Sequence, residues 1–180
     1  MNAIVAMLDP THERRVYDLW EELETTFDVR GVYVTPYPHF TLQGALHYDL
    51  DRLPNMLEQI AATSEAFAVE TSGLGIFTGD SPVLFIPVKR TPALNRVHER
   101  IWQVVQPLGT DLNGLYHASN WVPHITIGFG DMHPDKLAAI TTYFAERDFD
   151  WQIKVDSLAL IHHMGDAQLL KFRTRFGGIT

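Results

Sequence analysis

The sequence predicts an α+β fold built as two duplicated lobes, packed about a pseudo-twofold axis with a cleft between them. Three observations lead there. Apolar runs of strand length alternate with stretches of helical periodicity. The pattern returns after 82 to 85 residues. A chain of 180 residues, 46% apolar and 20% charged, is large enough to bury a full core. The pseudo-repeats, about 1–80 and 81–180, are expected to form one domain over 1–180 with no low-complexity linker.

The elements follow in order. Residues 3–8 read as a strand, after which Asp9 and Pro10 supply a cap and a first-turn residue for a helix. Its inner face is Val16, Leu19, Trp20, Leu23 and Phe27. Residues 31–46 read as extended. Leu53, Met56, Leu57 and Ile60 mark a second helix, 67–77 a strand, and the continuous apolar run 82–88 a buried strand. Thr91 and Pro92 open a third helix with Leu94, Val97, Ile101, Val105 and Leu108 inward. Residues 122–129 form another strand. Pro134 opens a fourth helix through Leu137, Ile140 and Phe144, and strands near 151–161 and 168–175 close the chain.

The repeat can be counted. Pro10 and Pro92 differ by 82, as do the pairs Leu19-Trp20 and Ile101-Trp102; "FAVETSGLGIF" lies 84 residues before "WQIKVDSLALI". Within this frame sit "PHFTL" around His39 and "PHITI" around His124, 85 residues apart. With nine histidines in the chain, such a pentapeptide arises by chance only about 0.01 times. Two copies at matched positions therefore carry weight.

Side chains two apart on a strand share a face. His39 and Thr41 project together, as do His124 and Thr126, while Phe40, Leu42, Ile125 and Ile127 pack behind them. A neutral imidazole serves as general base and a protonated one as general acid at the same pH. Threonine hydroxyls can donate to phosphoryl oxygens as charge gathers there. Two such rings flanking a phosphodiester suit in-line displacement, and neither proton transfer calls for a metal or other cofactor.

Composition narrows the alternatives. A formal net charge of −8 argues against a broad duplex nucleic acid footprint, leaving a small phosphate or a single RNA end. The absence of cysteine excludes disulfides, thiolate nucleophiles and Cys-ligated zinc. "AIVAML" is too short for a signal core or a membrane span, so the expected setting is the cytoplasm, as a monomer without membrane contact.

The paired P-H-Φ-T-Φ motifs (Φ apolar) in a duplicated α+β layout resemble the 2H (two-histidine) phosphoesterase superfamily, which includes bacterial 2′-5′ RNA ligase and RNA 2′,3′-cyclic phosphodiesterase proteins. The resemblance implies two antiparallel-type sheets flanked by helices around a central cleft. It implies metal-independent cyclic phosphodiesterase chemistry on nucleoside 2′,3′-cyclic phosphates or RNA ends, leaving a 2′-phosphate, with catalytic roles for His39, Thr41, His124 and Thr126. After the second motif this chain continues "GFGD", where many bacterial members carry a basic residue. A noncatalytic nucleotide or RNA-end binding module, 2′-5′ RNA ligase activity and a metal-dependent hydrolase are the alternative readings.

Around the motifs, Tyr37, Tyr33 and Trp121 are candidates to stack on a base, or else to pack in the core. Strand parity puts Tyr37 and Gln43 on the face of His39, and Gly128 on the face of His124, where it would leave room for a ligand. Gln43 is otherwise a surface amide. His12, His47, His98 and His133 read as solvated, and His117 lies within reach of the second motif. "HHMGD" at 162–166 reads as a hairpin turn rather than a metal site. Lys89, Arg90, Lys171, Arg173 and Arg175 read as solvated strand ends, with steering of phosphate as the alternative use.

Overall fold

Proline sets the helix starts: α1 (Pro10–Phe27), α2 (Leu53–Ala62), α3 (Pro92–Val105) and α4 (Pro134–Tyr143) each carry it in their first two positions. The Asp9 carboxylate accepts from the His12 amide, and the Thr91 hydroxyl from the Leu94 amide at 3.2 Å, capping α1 and α3. The computed structural model describes residues 1–164 and 167–177. Its strands are β1 (Asn2–Met7), β2 (His39–Tyr48), β3 (Phe67–Glu70), β4 (Gly75–Phe77), β5 (Val83–Pro87), β6 (Gly109–Leu112), β7 (His124–Gly128), β8 (Gln152–Val155), β9 (Ser157–Met164) and β10 (Ala167–Arg175).

An eight-stranded sheet runs β10-β9-β1-β2-β7-β5-β4, with β6 added along β2, and β3 pairs with β8 in a second, two-stranded sheet. All pairings are antiparallel. The two motif strands meet at the centre of the large sheet, where Phe40 pairs with Ile125. Those residues are 85 positions apart, the offset of the two histidines. β1 flanks β2 as β5 flanks β7, and α1 packs on β7 while α3 packs on β2. A large apolar cluster joins these elements, with Phe40, Leu42, Ile125 and Ile127 fully buried, and a smaller one of Ala3, Val5, Met7, Ala159 and Ile161 lies on β1 and β9.

Several expected elements differ in detail. The 67–77 strand is broken near Gly73, whose φ of +61° favours glycine, so β3 and β4 join different sheets. The 151–161 strand divides at Asp156 into β8 and β9. A 3-10 turn (Gly31–Val34) stands at the start of the stretch expected to be extended. The short polar β6, "GTDL", carries no apolar alternation and is an addition to the expected elements. β9 and β10 pair as a hairpin; the tip of "HHMGD", residues 165–166, lies outside the described residues. Among the described residues no helix is long and apolar enough to cross a membrane.

Candidate active site

The antiparallel β2–β7 register decides where the motif side chains fall. With Phe40 opposite Ile125, one step either way sets His39 beside Thr126 and Thr41 beside His124. The four form a quadrilateral on one face, histidines on one diagonal and threonines on the other. Diagonal neighbours across such a pair lie roughly 7 to 8 Å apart. All four line a single cleft of about 350 Å³.

Each ring is oriented by the same local device. The Tyr37 carbonyl lies 2.5 Å from His39 Nδ1, and the Val122 carbonyl 2.7 Å from His124 Nδ1. A carbonyl only accepts, so Nδ1 carries the hydrogen and donates, leaving Nε2 with its lone pair in the neutral ring. Pro38 and Pro123 stand between carbonyl and histidine in both motifs. Proline drives the preceding residue to extended geometry, which holds the carbonyl beneath the ring and accounts for the proline of the pentapeptide.

Both rings are half-buried, and burial favours their neutral form. Burial pushes the His39 pKa down to about 4, opposed by the bond to the Tyr37 carbonyl and reinforced by nearby His124. His124 is lowered by burial, opposed by its bond to the Val122 carbonyl. Two neutral imidazoles thus face the cleft at neutral pH.

Indole donors hold the motif backbones in place. Trp20 Nε1 donates to the Thr126 carbonyl at 3.1 Å and Trp121 Nε1 to the Thr41 carbonyl at 2.9 Å. Trp102 Nε1 donates to the Leu42 carbonyl at 3.3 Å. Behind Trp121 lies His98, its ring stacked at 3.8 Å and 9°.

Of the residues expected to contact substrate, Tyr37 lines the cleft. Trp121 does not: its indole is 3% exposed and committed to Thr41 and His98. Tyr33 lies outside the lining, its ring edge-on to Trp20. Gln43 is fully buried and accepts from the Tyr48 hydroxyl. A bulge in the β1–β2 register, between Ile4–Gln43 and Val5–Thr41, inserts Leu42 and reverses the parity that would aim Gln43 at the cleft. A Cβ on Gly128 would meet Met132 Sδ at 2.8 Å, so that glycine accommodates Met132 rather than a ligand.

The remaining histidines and cations also resolve. His47, His117 and His133 are exposed, and His117 Nδ1 bonds Ser119 rather than lining the cleft. His98 and His12 are buried, contrary to the solvated reading. His98 Nε2 donates to the Tyr116 carbonyl; His12 pairs with Asp9 at 2.7 Å and packs near Trp151. Lys89 pairs with Glu70, Arg90 lies over Trp121, and Arg173 bonds Ser157. Among the described residues no three His, Cys, Asp or Glu side chains converge to hold a metal ion.

The sequence did not single out Tyr116, Phe77 or Phe129, whose rings also line the cleft. Glycines signal two of them. A Cβ at Gly44 would meet the Tyr116 ring at 3.0 Å, and one at Gly75 would overlap Phe85, the ring on which Phe77 stacks. Phe77 also stands edge-on to His124 at 4.9 Å. At the rim, Asp131 of "GFGD" accepts from the amides of Arg30 and Gly31. Gly31 approaches so closely that a Cβ there would overlap the Phe129 carbonyl. Turn and loop are thereby locked together.

Comparison with known proteins points to one family. Residues 8–167 match the model of the 2′-5′ RNA ligase superfamily. A Bacillus cereus B4264 protein named "Putative phosphoesterase" is 26% identical over 141 residues, spanning 73% of this chain and 74% of its own. A Bacillus mycoides KBAB4 protein of the same description is 25% identical over 138 residues, with the same shares covered. Among solved structures, TT0787 of Thermus thermophilus superposes with a TM-score of 0.67 at 16% identity, covering 98% of both chains. A crystal structure described as a phosphoesterase gives 0.57 at 12% identity over 97% of both. These two likenesses establish the fold.

Proposed function

The chain belongs to the 2′-5′ RNA ligase superfamily, and from that premise we propose that it is a phosphoesterase that opens 2′,3′-cyclic phosphates of nucleosides or RNA ends by paired-histidine acid-base catalysis. The observation that carries this reading is the shared orientation of the two rings. Each is tied at Nδ1 to the carbonyl two residues back, and both line one cleft with Thr41 and Thr126.

The chemistry follows from the free Nε2 atoms. One imidazole takes a proton from water as the water oxygen bonds to phosphorus. The other, as imidazolium, gives its proton to the ribose oxygen as that P–O bond breaks. A 2′-phosphate results when the 3′ oxygen leaves. The hydroxyls of Thr41 and Thr126 donate to the non-bridging oxygens as negative charge builds. By themselves both rings favour neutrality, and a bound phosphodiester anion favours the protonated form of one of them. Substrate therefore helps create its own general acid.

The test is incubation with a nucleoside 2′,3′-cyclic phosphate, read by phosphorus NMR and anion-exchange chromatography. The reading expects conversion to one phosphomonoester, retained in the presence of chelator. Binding without product would instead leave a noncatalytic module.

A further inference from the structure

Resting on the phosphoesterase reading, we infer that this cleft selects substrates whose only charge is the reacting phosphodiester, beside a planar apolar group, and discriminates against those carrying further phosphates. The preferred class is the nucleoside 2′,3′-cyclic phosphate with a free 5′-hydroxyl, rather than its 5′-phosphorylated form or a cyclic-phosphate RNA end.

The lining carries this inference. Around the two imidazoles and two hydroxyls the walls are mostly aromatic, from Tyr37, Phe77, Tyr116 and Phe129, the mouth is aliphatic at Val34 and Leu115, and Thr35 and Gln168 add uncharged polar side chains. Phe77, Phe129, Val34 and Leu115 are exposed, so apolar surface is concentrated where a substrate enters. Among the described residues the lining includes no Lys, Arg, Asp or Glu. The five remaining positions, Gly165, Asp166, Gly178, Ile179 and Thr180, include no lysine or arginine. Of the cations elsewhere, Lys89 pairs with Glu70, Arg90 bonds Asn95 and the Ala118 carbonyl, and Arg147 pairs with Glu22.

One imidazolium and two hydroxyls suffice for a single anionic phosphodiester. A second phosphate would lie mainly on aromatic or aliphatic surface, where Thr35 and Gln168 offer no charge, and would surrender hydration without a side-chain counter-charge. It would also enter the field of a chain of net charge −8. A nucleobase, by contrast, gains by stacking on exposed rings.

The experiment compares kcat/KM for adenosine 2′,3′-cyclic phosphate, the same compound bearing a 5′-phosphate, and a short oligoribonucleotide ending in a 2′,3′-cyclic phosphate, at one low ionic strength. The 5′-hydroxyl compound is expected to lead by about tenfold or more. Equal or faster turnover of the other two overturns the selectivity while leaving the phosphoesterase reading intact; no turnover of any of the three overturns both. A second arm uses Leu115→Lys, at a rim position 70% exposed. This cation is expected to narrow the gap several-fold at low salt, and added salt to restore it. A gap that the substitution leaves unchanged overturns the electrostatic basis.

Discussion

Acidifying the protein places a specific load on His98, the buried ring behind Trp121. Its side chain is 0% exposed, Nε2 donates to the Tyr116 carbonyl, and Nδ1 has no partner. Burial is the largest influence and lowers its pKa to about 4; the Tyr116 carbonyl opposes that shift and Arg90 adds to it. In the unfolded chain the same imidazole titrates near 6.5. Between those values the unfolded state binds a proton that the folded state refuses, so stability rises with pH across the window and is lost as pH falls from about 6.5 toward 4. At roughly 1.4 kcal/mol per unit, the whole span is worth about 3 kcal/mol from this residue. His39 adds a contribution of the same sign. The assay is urea unfolding followed by tryptophan fluorescence at several pH values between 4 and 7, for wild type and His98→Phe. Phenylalanine keeps a ring against Trp121 and removes the titration. It lowers stability throughout by freeing the Tyr116 carbonyl, so the informative quantity is the slope. Wild type is expected to lose about one proton's worth of dependence more steeply, and equal slopes would refute the reasoning.

Further consequences concern the site. Because the active species needs one neutral and one protonated imidazole, and both pKa values are depressed, kcat/KM is expected to peak below pH 6.5 and to fall as pH rises; a maximum on the alkaline side of neutrality contradicts the assignment. The kcat profile, which reports the complex, is expected to lie further toward alkaline pH because bound phosphodiester favours the imidazolium. Trp121→Phe removes the donor to the Thr41 carbonyl and is expected to destabilise the fold by about 1 to 3 kcal/mol, measured by urea midpoint, with reduced kcat. Gly31→Ala forces a Cβ against the Phe129 carbonyl and is expected to raise KM by displacing the rim, read by steady-state kinetics.

Much of the site was legible because it is written in local chemistry. The P-H-Φ-T-Φ spacing places His and Thr on one strand face by period alone, and the 85-residue offset led to two histidines on one cleft, where both lie. The proline starts of α1, α3 and α4 were equally local. What escaped was decided by packing or by single-residue irregularities. The Leu42 bulge turned Gln43 inward, beyond the reach of parity counting. Trp121 precedes the second motif but faces backward, because the Thr41 carbonyl needs a donor. His98 looked solvated since one helical position says little about what covers it. Tyr116 comes from a short turn and Phe77 from the short strand β4, whose places depend on the tertiary fold, with Gly44 and Gly75 their nearest signals in the chain.

The central claim, that two imidazoles divide the proton transfers, is tested most directly by turnover of a nucleoside 2′,3′-cyclic phosphate by His39→Ala and His124→Ala, with folding verified by circular dichroism. Each folded variant is expected to lose about 10² to 10⁴ in kcat and the corresponding limb of the pH profile. Near-wild-type turnover by either one would contradict the account.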